Sequence, residues 1–187
     1  MRREKKLRIY LCGSIKKGDS DLRPSNEFWT EEDEITIKSN LKFDVDLLNP
    51  AKTKISRNDY FVNFGADLFL VQSSDMIFAD LRSEKGIGVG AEMMFARQSG
   101  IPVIAWLPER THYRRDLSDV FGEDLKRWIH PFAFALSDHI AQTLGEVCQI
   151  ANAIADCNLS SVDSSKNINR SIDRFLENYP EYKIDQS

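Results

Sequence analysis

The chain has 187 residues, 42 % of them hydrophobic, with 25 Lys and Arg against 29 Asp and Glu for a net charge of -4. That length suits one domain with a real core, and the acidic balance argues against a dedicated nucleic-acid binder, whose phosphate contacts need a basic surface. No apolar run approaches the roughly 20 residues that cross a bilayer, the start is too short in apolar residues for a secretion signal, and Cys12, Cys148 and Cys157 are odd in number and scattered. A cytosolic protein with reduced thiols and no membrane partner is expected.

Taken in chain order, LRIYLC (Leu7–Cys12) reads as a buried first strand ended by Gly13. Residues 24–41 have helix-compatible spacing of Phe28, Trp29, Ile35 and Ile37, and 43–50 look like a strand stopped by Asn-Pro. Residues 58–73 form a mostly apolar helix opened by an Asn/Asp cap, 75–81 a third strand, 89–99 a helix closed by Gly100, and 101–107 a fourth strand. IHPFAFAL (129–136) suits a fifth strand and 138–155 a closing amphipathic helix, while 108–128 is polar and carries no readable period. Residues 158–187 read as a Ser/Asn-rich link to a short tail helix without chemistry.

Strands that alternate with helices and run as continuous apolar stretches imply parallel strands covered on both faces. The expected fold is therefore α/β, a doubly wound, Rossmann-like or flavodoxin-like open sheet of about five mainly parallel strands with helices on both faces. It occupies 1–156, followed by a tail at 157–187. Ligands of such sheets bind beyond the carboxyl ends of the strands, where the strand order reverses.

Three loops converge there. GSIKKG offers Gly13 for close backbone approach, Ser14 as a hydroxyl and Lys16 and Lys17 as cations; an ordinary surface turn reads the same way. In the second loop Gly86, Gly88 and Gly90 leave room in front of Glu92. A carboxylate in the first turn of a helix is held ionised by the positive end of the dipole, so Glu92 is either a stabilising helix-start acid or a nucleophile facing an open glycine segment. Asp67, among apolar helical neighbours, either points into a pocket or is capped locally. Two carboxyls on one pocket are the equipment of glycosidic cleavage.

Around them, Asp80 ends the third strand and either reaches the pocket or caps the next turn. Tyr10 needs a polar partner inside the first strand, for which Glu92 is a candidate. Cys12 reads as a small core residue, and His112, His130 and His139 lack metal-ligand spacing, so neither metal nor cofactor is expected. In the third loop Arg110, Arg114 and Arg115 form a basic cluster, whether solvated or touching an anion.

IYLCGSIKKG, an Asp eight residues before Asp75, and GVGAEMMFARQSGIPVI together resemble the nucleoside 2-deoxyribosyltransferase superfamily, over about 7–106. YLCGSI is similar to its branch of 2′-deoxynucleoside 5′-phosphate N-hydrolases and CMP hydrolases. The resemblance implies Glu92 as nucleophile, Asp67 as the acid assisting the leaving base or binding the sugar, and Tyr10 as the group orienting the nucleophile. It implies a 5′-phosphate contact at Gly13, Ser14, Ile15 and Lys16, with Lys16 standing where an arginine is usual, and a ribose and phosphate contact along Gly88 and Gly90. It further implies a nucleotide or nucleoside substrate and a homodimer or higher homo-oligomer whose neighbouring subunit supplies a serine, for which Ser118 is the candidate. Gly86 stands where the transferase branch carries an Asp, which favours water as acceptor.

Overall fold

The computed structural model describes residues 6–55, 58–120, 122–157 and 164–182. Five parallel strands, β1 (Leu7–Cys12), β2 (Val45–Leu48), β3 (Met76–Asp80), β4 (Val103–Trp106) and β7 (His139–Ala141), form one sheet in the order β2-β1-β3-β4-β7. Between β3 and β7 the chain adds an antiparallel hairpin, β5 (Arg114–Val120) with β6 (Glu123–Ile129). The helices are α1 (Glu31–Asn40), α2 (Tyr60–Gln72), α3 (Ile87–Gln98), α4 (Pro131–Ala135), α5 (Leu144–Asp156) and α6 (Ser164–Asn178).

Alternate strand residues divide the core into two layers. Ile9, Leu11, Met76, Phe78 and Ile104 pack under α1 and α5, through Ile37, Val147, Cys148 and Ala151. Tyr10, Cys12, Ile77, Ala79, Val103 and Ala105 face Val71 of α2, Val89, Met93 and Ala96 of α3, and Ala133 of α4. Both faces of the sheet are thus covered, as the continuous apolar strands require. The helix ends follow local chemistry. Thr30 with Asp33 and Thr143 with Glu146 form reciprocal capping boxes, Asp59 caps α2, and Gly100 takes a φ of 72° just past α3. The fully buried Arg97 of α3 pairs with Asp138, whose other oxygen accepts the Val103 amide at 2.8 Å, tying α3 to the β4 edge.

Several expectations need correction. Residues 129–136 are not a strand: Ile129 ends β6, and Pro131, with φ preset for a first helical turn, opens α4. The fifth strand lies instead at His139–Ala141, inside the expected closing helix, and α5 starts only at Leu144, where the Thr-x-x-Glu capping box sets it. The expected helix at 24–41 divides into a 3-10 turn (Ser25–Glu27), an extended Phe28, and α1. Segment 108–128 holds most of the hairpin, and the tail helix is 15 residues long and packs on α3 and α4. The link at 158–163 lies outside the described residues. Among the described residues no helix is long and apolar enough to cross a membrane.

Candidate active site

The chain leaves β1 toward β2 on one side and β3 on the other, so the strand order reverses between β1 and β3. A cavity of about 690 Å³ opens there, within the range of roughly 300–1,000 Å³ typical of small-molecule sites. Its wall is built from the loop after β1 (Gly13, Ser14, Ile15, Lys17, Ser20, Asp21, Arg23), from Asp67 of α2, and from Gly86, Gly88, Val89 and Glu92 at the start of α3. Both predicted carboxyls therefore line one cavity. A neighbouring hollow of about 540 Å³ shares Gly86 and Val89, but Met93, Met94, Tyr113 and Phe132 make it mainly apolar, with Glu84 its one carboxyl.

Glu92 is the sixth residue of α3, because the helix begins at Ile87 with Gly86 as its cap. Gly88 and Gly90 are thus helical, and Glu92 stands in the second turn, where the dipole effect has faded. Its environment works against ionisation. At 9 % exposure its carboxyl is pushed up from 4.5 to about 7, chiefly by burial, with the Asp67 charge adding to the rise and Cys12 and Tyr10 opposing it. The expectation of a carboxylate held ionised by its helix is corrected: burial wins over the dipole.

Tyr10 is fully buried, and burial together with the Glu92 charge raises its hydroxyl far above the ordinary value. The same two causes raise the Cys12 thiol, whose Sγ lies 3.7 Å from the Val89 carbonyl. Both remain protonated donors beside Glu92. Neither Tyr10 OH nor Glu92 Oε2 has a hydrogen-bond partner among the described residues, although both atoms are buried. Buried polar atoms left unpaired cost stability, and their concentration at this carboxyl marks it as a place where something other than packing is served.

The loop after β1 is tied to itself. Asp21 accepts a forked pair from Arg23, Nε at 2.9 Å and Nη2 at 2.6 Å, and the Lys17 amide at 2.9 Å, which holds its carboxyl below the usual carboxylate range. Gly13 lines the cavity, and packing also requires glycine there, since a Cβ would stand 3.0 Å from Trp29 Nε1. Lys16 does not line the Glu92 cavity; its place is taken by Lys17 and Arg23, which the spacing of the loop gave no way to choose.

Asp80 does not line the Glu92 cavity. It is fully buried and paired with Arg82 Nε at 2.9 Å and Lys85 Nζ at 3.0 Å, while the Arg82 guanidinium lies 3.9 Å over the Trp106 ring. Ser118 is exposed on β5 and lines no part of the cavity of its own chain. Arg110, Arg114 and Arg115 do gather, with Arg127, around a separate hollow on the hairpin. Among the described residues no group of three or more His, Cys, Asp and Glu is placed to hold a metal.

No family model matches the chain, and no curated protein matches it. Among solved structures the chain is similar to a 2-deoxyribosyltransferase from Leishmania mexicana, at 18 % identity over 66 % of this chain and 81 % of that one with a TM-score of 0.44. It is also similar to a CMP N-glycosidase from Clostridium botulinum, at 14 % identity over 78 % of this chain and 98 % of that one with a TM-score of 0.42.

Proposed function

We propose that the protein is an N-glycosidase that hydrolyses the bond between base and sugar in a nucleoside 5′-monophosphate, releasing free base and sugar 5-phosphate. The observation that carries this reading is the convergence of Glu92 and Asp67 on one nucleotide-sized cavity whose wall also bears Ser14, Lys17 and Arg23. Ionised Glu92 attacks C1′ through an oxocarbenium-like transition state, the C1′–N bond breaks, and Asp67 delivers a proton to the departing base. Water then adds at C1′, cleaving the glycosyl ester and returning Glu92, while the water proton restores Asp67. Tyr10 and Cys12, protonated, stand beside Glu92 and oppose the rise that burial causes, which favours its anionic form. Retention at C1′ follows from the two displacements.

The enzyme works as a cytosolic homodimer in this reading. Tyr60, Phe61, Phe64 and Phe69 of α2 are all more than half exposed, Phe61 at 89 %, and an apolar face of that size calls for a partner. The same helix carries Asp67, so pairing through it would rim the site.

The test is a panel of nucleosides and their 5′-monophosphates, with and without a second free base, read by chromatography. Free base from monophosphates supports the hydrolase. Exchange of bases would assign a deoxyribosyltransferase, and tight binding without base release over hours would assign a nucleotide sensor.

A further inference from the structure

We infer that the chamber beside the loop after β1 receives a second phosphoryl group, so that the protein takes nucleoside 5′-diphosphates as well as monophosphates. This deepens the reading above and rests on it. The chamber measures about 270 Å³ and shares Ser14 and Arg23 with the Glu92 cavity, while Lys16 belongs to the chamber alone. Its volume lies below the roughly 300–1,000 Å³ of whole-ligand sites, which suits part of a ligand anchored next door.

Subtraction of the hydrogen bonds already made tells which part. Trp29 Nε1 donates to the Cys12 carbonyl at 3.1 Å, and Thr30 Oγ1 accepts the Asp33 amide at 3.0 Å. Asn49 uses Oδ1 on the Ala51 amide at 2.9 Å and Nδ2 on Glu34 Oε1 at 2.8 Å. Among the described residues this leaves the Lys16 ammonium and the hydroxyls of Ser14 and Ser25 without a partner. Arg23 adds Nη1, which stands 3.9 Å from Glu27, while Nε and Nη2 are engaged by Asp21 and the Ile15 carbonyl.

Of the groups left, the Lys16 ammonium and Arg23 Nη1 only donate and carry positive charge, while the two serine hydroxyls can donate or accept. A neutral nucleobase would leave both positive charges unanswered, whereas a phosphoryl group takes all four groups as donors and matches the two cations. Ser14 and Arg23, common to both spaces, then hold the first phosphate at the boundary, and Lys16 reaches the second.

The experiment titrates the Glu92→Gln protein, in which turnover is removed, with adenosine, cytidine, their 2′-deoxy forms and the 5′-mono- and 5′-diphosphates of each, by calorimetry. For the base that binds, the diphosphate is expected to bind about tenfold tighter than the monophosphate, and Lys16→Ala in the same background to bring that ratio close to one. A diphosphate that binds no tighter than the monophosphate, or a Lys16→Ala loss equal for both, overturns the inference. Base release by the wild-type protein separates the two readings. Release from monophosphates that diphosphates neither undergo nor inhibit removes the second-phosphate chamber and leaves the hydrolase, whereas absence of any nucleotide binding removes both.

Discussion

Glu92 follows Gly88 by one helical turn, and its Oε1 lies 3.6 Å from the point that a Cβ on Gly88 would occupy. Glycine inside a helix is less favourable than alanine by about 1 kcal/mol, so α3 gives up stability to keep the approach to the carboxyl open. Gly88→Ala is expected to raise the melting temperature by a few degrees, as about 1 kcal/mol does in a chain of this size, and to lower kcat/KM by about tenfold or more through the methyl in front of Oε1. Equal activity with raised stability would show that substrate does not pass that face.

Burial sets the pH profile. With the Glu92 carboxyl pushed up to about 7, the ionised nucleophile is the minor form in acid, and because the departing base takes its proton from Asp67, kcat/KM should be bell-shaped in pH, rising as Glu92 ionises and falling as the donor loses its proton. Asp67→Asn removes the proton donor, so turnover falls by roughly 100- to 10,000-fold and the alkaline limb is lost. Asp67→Asn activity equal to wild type, with the alkaline limb retained, would remove Asp67 from proton delivery.

The same shift has a consequence for stability. A carboxyl whose folded-state value exceeds its ordinary 4.5 binds more protons folded than unfolded between 4.5 and about 7, so stability falls as pH rises through that window. Glu92→Gln removes the charge at little change in shape. It is expected to be more stable than wild type near pH 8, by up to about 3 kcal/mol, and nearly equal near pH 4, a difference that thermal melts at the two pH values measure.

The parallel sheet and both carboxyls were legible because their signals are local: apolar strand runs, a glycine-flanked Glu92, an Asp67 among apolar neighbours. Strand β7 was not, since three residues carry no period and its place comes from pairing with β4. The hairpin escaped for a different reason. RRDLSDV and EDLKRWI lie largely outside the core, so nothing selects an apolar alternation. Gly86, Gly88 and Gly90 read as loop because glycine is a poor helix former, which displaced the start of α3 and with it the electrostatics of Glu92. The choice of Lys17 and Arg23 over Lys16 depends on side-chain direction in a turn, which spacing does not encode.

The exposed face of α2 gives a test of assembly. Phe61 and Phe64 are 89 % and 60 % exposed, and charges placed there would oppose any pairing through this helix without entering the core. Light scattering is expected to give a dimer for the wild-type protein and a monomer for the double variant Phe61→Glu, Phe64→Glu. A dimer that survives both changes would move the interface elsewhere.

Lys85 and Asp80 form a buried ion pair at 3.0 Å that fixes the end of β3. Lys85 is 1 % exposed at its side chain and spends all three donors, on Asp80 Oδ2 at 3.0 Å, the Glu27 carbonyl at 2.9 Å and Ser83 Oγ at 3.0 Å. Its backbone amide donates to the Tyr113 hydroxyl at 2.8 Å, so the segment leading into α3 is fastened both to β3 and to the base of the hairpin. Lys85→Met leaves Asp80 buried with Arg82 as its remaining cation, and breaking a buried pair costs on the order of 3 kcal/mol. A melting temperature lowered by several degrees is expected, and Tyr113→Phe, which strands one amide, should cost about 1–3 kcal/mol. Unchanged melting in Lys85→Met with lost nucleotide binding would instead place Lys85 and Asp80 in the substrate site.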